Sequence, residues 1–231
     1  MKKRFNLFAI TALLAGTSLF TACKEEVVAK KYAQLNVVQT SPDAPGINVA
    51  LDSINKINDY VLQYGATTGY RQIEAVKKVL NINRYLHDSI DKTIVKAEIT
   101  PKQGEHYTMF IIDSFKKLDV LYTLDQWPAP ESGKAEVRFV HLSPNGRTFD
   151  VARKDGAVVF TRMAFKDITS YIKIDAGVHN WELRRAGSDT LITKLPTMVF
   201  NTGKVYTVYA RGLEGVSGKS GMTSAVIVNQ F

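Results

Sequence analysis

The chain has 231 residues and a formal net charge of +8, from 30 basic and 22 acidic side chains. Beyond residue 22 its adjacent basic residues come only in pairs, such as Lys77-Lys78 and Arg184-Arg185. Nucleic-acid binders concentrate such residues on one face or run, so nucleic acid is not an expected partner. A hydrophobic fraction of 45% suffices for one or two packed domains, and a single cysteine excludes disulfides within the chain.

Residues 1–22 have the three parts of a secretory signal peptide. Met1 to Arg4 supplies a positively charged start, Leu7 to Phe20 an apolar stretch, and Thr21-Ala22 the small residues before a cleavage site. The apolar stretch is shorter than the roughly 20 residues that a membrane-spanning helix needs. Its removal leaves 27 basic and 22 acidic residues, 30 minus the three at the start against an unchanged 22, a net charge of +5.

Cys23, the only cysteine, follows directly. Thr21-Ala22-Cys23 resembles the lipobox of bacterial lipoproteins, which implies cleavage before Cys23 and acylation of its thiol and amino group. Two or three acyl chains would make attachment permanent, because one chain binds a membrane only reversibly. The alternative is an ordinary signal peptide followed by an unpaired cysteine.

The next residues, Lys24, Glu25 and Glu26, are similar to the lipoprotein export signal of Bacteroidetes. The resemblance implies display on the outer leaflet of the outer membrane, so we expect a lipid-anchored, surface-exposed protein. The alternative is that these charges only solvate a tether. Cys23 and the tether together occupy residues 23–31.

Two segments of nearly 100 residues repeat five sequence blocks in the same order. They predict two domains, residues 32–127 and 134–231, joined by a linker at residues 128–133. Pro128 and Pro130 favour an extended, fairly stiff linker. The matched blocks begin at Ala33 and Ala135, Ile47 and Phe149, Tyr70 and Tyr171, Gly104 and Gly203, and Leu124 and Val228.

Each copy has short strand patterns separated by turn signals. Leu35 and Val37 alternate with polar neighbours, as in a half-buried strand. About seven strands in about 100 residues predict an immunoglobulin-like sandwich. The predicted fold is therefore all-β, with two tandem immunoglobulin-like antiparallel β-sandwich domains after a lipoprotein signal peptide. Further predicted strands are Ile47–Leu51, Val79–Asn83, Thr108–Ile112 and Leu121–Leu124, and then Phe149–Arg153, Ser170–Ile174, Asn180–Arg184, Tyr206–Arg211 and Ser224–Asn229.

Two stretches of the first copy have no counterpart in this pattern. Ile54–Leu62 allows a helical stretch, and Tyr85–Asp91 is interpreted as a longer loop or one helical turn.

The turn after the first strand carries a family resemblance. Ser41-Pro42-Asp43-Ala44-Pro45, followed by Val49, a tyrosine at Tyr70 and Gly104-x-x-Tyr107-Thr108, resembles the domain of unknown function 4397 family. The second copy has Ser143-Pro144-Asn145-Gly146-Arg147 at the turn. The resemblance implies secreted β-sandwich repeats, common in anchored bacterial proteins, and it implies no activity.

The sequence offers no catalytic constellation. The four histidines, His87, His106, His141 and His179, fall in four different elements, and none has metal-ligand spacing. We therefore expect a protein that is not an enzyme and needs no cofactor.

Asp43 is a weak candidate for a calcium ligand, because it follows Ser41-Pro42 at a turn. A calcium site needs several converging oxygen atoms, and the nearest further carboxylates in sequence are Asp52 and Asp59. The favoured interpretation is that Asp43 caps its own turn, since Asn145 replaces it in the second copy and can do the same.

Two hypotheses follow for function. The first is an adhesion, scaffold or ligand-binding module of the cell envelope, with an envelope or host protein as partner. The alternative is a glycan-binding accessory protein of a polysaccharide-uptake system, which requires a row of exposed aromatic side chains. The candidate platforms are Trp127, Trp181, Tyr64, Tyr70 and Tyr171, and the matched positions of all but Tyr64 favour core roles instead.

Overall fold

The computed structural model describes residues 30–52, 55–57, 60–86 and 89–229. These residues form strands joined by turns and two single-turn 3-10 helices, so the predicted all-β fold is confirmed. Among them, no helix has the length and apolar character required to cross a membrane. The predicted signal peptide, Cys23, Lys24, Glu25 and Glu26 lie outside the described residues.

The first half of the chain forms two facing four-stranded sheets, the first sandwich. Its strands are β1 (Tyr32–Gln39), β2 (Ile47–Leu51), β3 (Asn55–Lys56), β4 (Arg71–Glu74), β5 (Lys78–Leu86), β6 (Ser89–Ile99), β7 (His106–Ile112) and β8 (Asp119–Leu124). The inner sheet has the order β4-β1-β7-β8 and the outer sheet the order β3-β2-β5-β6. A 3-10 helix at Phe115–Lys117 lies between β7 and β8.

The second half forms the second sandwich. Its strands are β9 (Lys134–His141), β10 (Phe149–Arg153), β11 (Val158–Met163), β12 (Ile172–Asp175), β13 (Gly177–His179), β14 (Trp181–Arg185), β15 (Leu191–Lys194), β16 (Met198–Phe200), β17 (Val205–Arg211) and β18 (Thr223–Val228). The inner sheet has the order β12-β9-β17-β18, the outer sheet the order β11-β10-β14-β15, and β13 pairs with β16. The other 3-10 helix is Gly218–Ser220.

The two inner sheets have the same plan. In each, the first strand lies in the middle, antiparallel to one neighbour and parallel to the other: β1 pairs in parallel with β7, and β9 with β17. The remaining pairs within the sandwiches are antiparallel. The sequence blocks that match between the two halves therefore occupy matching strands.

Each sandwich has its own apolar core. Alternate residues of β1, Ala33, Leu35 and Val37, point into the first core, which contains residues of both its sheets. The second core is richer in aromatic rings and includes Phe139, Phe149, Trp181 and Phe200, among others.

A third, smaller apolar cluster joins the sandwiches. Val38 and Phe110 of the first inner sheet pack with Val140, Tyr209 and Ile227 of the second. The inner sheets are consequently buried on both faces, which explains why β7 has a continuous apolar run at its end rather than an alternating pattern.

The sandwiches pack against each other through their inner sheets, which meet at matching positions of β1, β7, β9 and β17. β1, β7, β9 and β17 all begin at one end of the molecule, which we call the base. Both Ser-Pro turns, at Ser41-Pro42 and Ser143-Pro144, lie at the opposite end, which we call the Ser-Pro end. There the Ser220 hydroxyl donates to the Pro42 carbonyl across the interface, at 3.3 Å. The described chain enters at the base, through Lys30.

The predicted helix at Ile54–Leu62 is wrong for the residues described. Asn55–Lys56 is extended and pairs with β2, and Leu62 exchanges backbone hydrogen bonds of 3.0 and 2.8 Å with Ile47. This extended path places the Leu62 side chain in the first core.

The described residues of the stretch 85–91, namely 85, 86 and 89–91, are also extended, so the predicted helical turn is wrong for them. Tyr85 and Leu86 finish β5 and pair with Ile90 and Ser89 at the start of β6. Residues 87 and 88, and with them His87, lie outside the described part.

Candidate functional site

The Ser-Pro turns are held by the residue two positions before each serine. The Gln39 side-chain oxygen accepts a hydrogen bond from the Ser41 N–H at 2.7 Å, and His141 Nδ1 accepts one from the Ser143 N–H at 3.2 Å. Both side chains are fully buried. Burial disfavours the imidazolium and lowers the pKa of His141 to about 4, so this histidine is neutral at physiological pH. His141 is thus a structural acceptor.

The residue after each proline ties the turn to the next loop. The Asp43 carboxylate accepts a hydrogen bond from the Phe115 N–H at 2.8 Å, and the Asn145 amide oxygen accepts one from the Glu214 N–H at 2.9 Å. Asp43 therefore binds the loop between β7 and β8 rather than capping its own turn. The Ser-Pro-Asp and Ser-Pro-Asn motifs form the same contact in both sandwiches.

The calcium candidates do not converge around Asp43. Asp52 lies at the base, where it accepts a hydrogen bond from the Val79 N–H, and Asp59 is outside the described residues. Within the described ranges, His, Cys, Asp and Glu side chains form no group of three that could hold a metal ion.

The largest constellation of polar side chains lies between the inner sheets. Arg138 of β9 pairs with Asp125, which follows β8, and both side chains are almost fully buried, 3% and 0% exposed. The same carboxylate accepts hydrogen bonds of 2.7 Å from the hydroxyls of Tyr70 and Thr108. A buried ion pair contributes only when its remaining hydrogen-bonding atoms are satisfied, and here they are.

These groups close into a ring that spans the interface. Arg138 Nε donates to the Thr207 hydroxyl at 2.9 Å, which donates to the Asn229 side-chain oxygen at 2.7 Å. Asn229 Nδ2 donates to the Tyr70 hydroxyl at 2.8 Å, which in turn donates to Asp125. We call these five side chains the interface ring. Burial, and then the neighbouring carboxylate, raise the pKa of Tyr70, so its hydroxyl stays protonated as a donor.

The sequence blocks contained a signal for this ring. Thr108, which binds the ring through Asp125, matches Thr207, and Asp125 matches Asn229 just after the matched strands β8 and β18. Polar residues shared by both halves at these positions indicate a buried polar contact. The pairing of Asp125 with Arg138 could not be predicted in this way, because the position that matches Arg138 in the first half is occupied by Asn36.

A cleft opens between the edges of the two sheets of the second sandwich, near the base. It has a volume of about 330 Å³, and its lining includes Arg153, Val158, Ile172, His179 and Trp181. The Trp181 indole N–H has no acceptor in the described structure. A second cleft of about 400 Å³, at the base of the first sandwich, includes His106 and Trp127.

At the matching place in the first sandwich, charged side chains come together. The Lys78 ammonium lies 3.0 Å from Asp52 and 3.2 Å from Glu74. The two carboxylates bound to it raise the pKa of Lys78. Lys78 matches His179, so the two sandwiches differ in the chemistry of this edge.

None of the five candidate aromatic platforms is fully exposed: Trp181 is buried and the other four are half-buried. Tyr70 belongs to the interface ring, Trp181 to the second core, and Trp127 packs its edge against His106 with 5.5 Å between ring centroids. Arginine guanidinium groups cover the other two rings, Arg211 over Tyr64 and Arg138 over Tyr171. Among the described residues these five side chains form no exposed row.

The exposed loops of the Ser-Pro end are basic. Lys116 and Lys117 lie in the first sandwich, and Arg147 and Lys219 in the second, and all four are solvent-exposed. None of them takes part in an ion pair with another described residue. The same end also carries the carboxylates of Asp43, Asp113 and Asp167, so its positive charge is local to the four basic side chains.

A comparison with protein families gives one match. The family model for the domain of unknown function DUF4397 matches residues 33–152, just over half of the 231 residues, and the chain belongs to this family. The match runs from the start of the first sandwich to β10 of the second. No curated protein matches the chain.

Proposed function

We propose that this family member is a non-catalytic cell-envelope lipoprotein, anchored through Cys23, that works as a rigid adhesion or scaffold module. The observation that carries the proposal is the way in which the two sandwiches are joined. The third apolar cluster and the interface ring join their inner sheets, and the described chain begins at one end, at Lys30. A module of this kind presents its opposite end to partners.

The polar clusters favour a structural role over a catalytic one. Asp125 and Arg138 are closed off from solvent in the interface ring, and His141 is buried at a turn. An acid, base or nucleophile must reach its substrate, and these groups do not. The matching topologies and matching hydrogen bonds support the further proposal that the sandwiches are tandem copies of one domain.

The Ser-Pro end is the proposed partner-binding surface, and its charge favours an acidic partner. Lys116 and Lys117 project from the 3-10 helix, whose loop is fixed to the Ser-Pro turn through Asp43. Ordering the loop in advance lowers the entropy lost on binding.

This surface can be tested with the soluble fragment that begins at Lys24, probed against an array of acidic and neutral glycans and extracellular host proteins. A bound ligand is expected to be acidic, and Lys116→Glu with Lys117→Glu is expected to weaken it at least tenfold. The matched control is Lys92→Glu with Lys96→Glu, exposed lysines of β6 on the outer sheet. A ligand whose binding is insensitive to the first variant, or sensitive to both, would contradict the proposed surface.

The anchor is tested separately by cell fractionation. Cys23→Ser is expected to move the protein out of the membrane fraction, and a variant that stays membrane-bound would contradict lipid attachment. Replacing Lys24, Glu25 and Glu26 by alanine is expected to leave lipidation intact but to reduce cleavage by protease added to whole cells. Unchanged cleavage would contradict the export signal.

A further inference from the structure

The most exposed large aliphatic side chains gather at the base. Val76, Val158, Val178 and Val199 have exposed fractions between 51% and 67%, higher than any other large hydrophobic residue described. Val178 lies directly opposite Val199 in the pair β13–β16. Val76 belongs to the turn between β4 and β5, and Val158 begins β11. The adjacent side chains of Val178 and Val199 form the contiguous part of this exposed apolar surface, and contiguous exposed apolar side chains mark interaction surfaces.

Lysines without a described ion-pair partner also lie at the base. Five lysines of the base take part in no ion pair with other described residues. They come from the chain entry and from the hairpins and loops of both sandwiches, and they are Lys31, Lys102, Lys154, Lys194 and Lys204. Exposed apolar side chains together with unpaired lysines at the same end of a molecule are the combination that binds the headgroup region of a membrane.

The length of the tether restricts the orientation of an anchored molecule relative to the membrane. Six residues separate Cys23 from Lys30, so their Cα atoms lie at most about 25 Å apart. The eight residues of β1 alone extend about 26 Å. If the Ser-Pro end faced the membrane, Lys30 would be separated from the membrane by the length of β1 and of the loops beyond it. That distance exceeds the reach of the tether.

We propose that the base of the paired sandwiches is a lipid-contacting surface, which lies on the membrane that carries Cys23. Val178 and Val199 contact the headgroup region there, and the free lysines face headgroup phosphates. The inference rests on the proposed lipid anchor and extends it, because the anchor alone fixes a distance and not an orientation. The Ser-Pro end then points away from the membrane.

The test uses the acylated full-length protein, in which Cys23 carries lipid and a new cysteine is the only free thiol. Val178→Cys and Val199→Cys are each labelled with an environment-sensitive fluorophore, with Val216→Cys at the Ser-Pro end as the matched control. Val216 is also an exposed valine. The proteins are reconstituted in vesicles of phosphatidylethanolamine and phosphatidylglycerol, with and without nitroxide-labelled lipid.

At positions 178 and 199 the nitroxide lipid is expected to remove at least half of the emission, and at position 216 to leave it unchanged. Adding Lys154→Glu and Lys204→Glu is expected to reduce the quenching, whereas Lys116→Glu and Lys117→Glu are not. Protein that floats with the vesicles but is unquenched at 178 and 199 would overturn this inference and leave the anchor intact. Protein that does not float would overturn both.

A protein partner on the base gives a different pattern. The label at position 178 would then be unquenched by lipid in vesicles yet shielded from iodide on intact cells. That result would also overturn the proposed membrane contact.

Discussion

At the scale of single residues, the pair formed by Asp125 and Arg138 has the largest expected effect on stability. Removing one partner leaves the other charge buried without compensation, which costs about 3–5 kcal/mol. We expect Asp125→Asn and Arg138→Gln each to lower the free energy of unfolding by this order. Because each removes the same interaction, the double variant is expected to lose less than the two single losses combined.

This expectation can be checked by urea unfolding in a double-mutant cycle. Lys166 and Asp119 provide the matched control, because they also join the two sandwiches, at 2.9 Å, but remain 42% and 50% exposed. Their coupling is expected to be close to zero, since solvent screens exposed pairs. Equal coupling in the two cycles would contradict the structural importance of the interface ring.

His141 makes stability depend on pH in a defined direction. Its folded-state pKa of about 4 lies below the model-peptide value of about 6.5, so the unfolded chain binds a proton more readily. Above the pKa of the unfolded state, His141 does not lower the free energy of unfolding. As pH falls from about 6.5 towards 4, the folded state is increasingly penalised, by an amount on the order of 2 kcal/mol at pH 5.

The first sandwich supplies the substitution that tests this, because Gln39 accepts the equivalent hydrogen bond there. His141→Gln is expected to flatten the fall in unfolding free energy between pH 7.5 and pH 5. The measurement is urea unfolding at the two pH values. An equally steep fall in the variant would show that other groups cause the pH dependence.

At the scale of elements, two of the glycines in the loop between β17 and β18 have similar backbone conformations but different surroundings. Gly212 and Gly215 both have positive φ, +86° and +78°. A Cβ on Gly212 would lie 2.2 Å from the backbone oxygen of Gly221, whereas one on Gly215 would meet nothing within 4 Å. Gly215→Ala should therefore cost only the left-handed backbone, about 1–2 kcal/mol.

Gly212→Ala should cost more, because the strand-like contact between Leu213 and Gly221 must also separate. Hydrogen exchange of the Gly221 and Met222 amides, which donate within this loop, is expected to accelerate in Gly212→Ala only. Similar exchange in both variants would contradict the close backbone approach.

The elements also show how far sequence patterns reach. Ile47–Leu51 and Phe149–Arg153 were predicted with their exact bounds, because alternation and turn residues are local signals. The long strand β6 was missed, since its mixed polar residues form an exposed outer edge without a strong apolar period. The Ser-Pro-Asp turn was predicted, but not the contact of Asp43 with Phe115, because that partner comes from a distant loop.

At the scale of the whole molecule, the shared third cluster predicts coupled unfolding. Unfolding of one sandwich would expose Phe110 or Tyr209 and leave half of the interface ring without partners. We therefore expect one cooperative transition in urea. The two tryptophans allow a direct measurement, since Trp127 reports on the first sandwich and Trp181 on the second.

The variants Trp127→Phe and Trp181→Phe each leave one fluorescent reporter. Each is expected to show a fluorescence midpoint that coincides with its own midpoint by circular dichroism. In the background of Arg138→Gln both midpoints are expected to fall together, because the variant weakens the interface while the third apolar cluster still joins the sandwiches. Separate midpoints in the parent chain would mean that the sandwiches unfold independently.

The parallel pairing of β1 with β7 has a kinetic consequence. The central strand of the first inner sheet is the first to be synthesised, yet Gln34 must find His106, about 70 residues later. The described residues contain no helical hairpins, whose short-range contacts speed folding, and closing so long a loop precedes any gain from the pairing of β1 with β7. The first sandwich should consequently fold in milliseconds to seconds rather than microseconds. The nascent chain therefore stays unfolded until its seventh strand has emerged. During that time it remains available to machinery that transports only extended polypeptides.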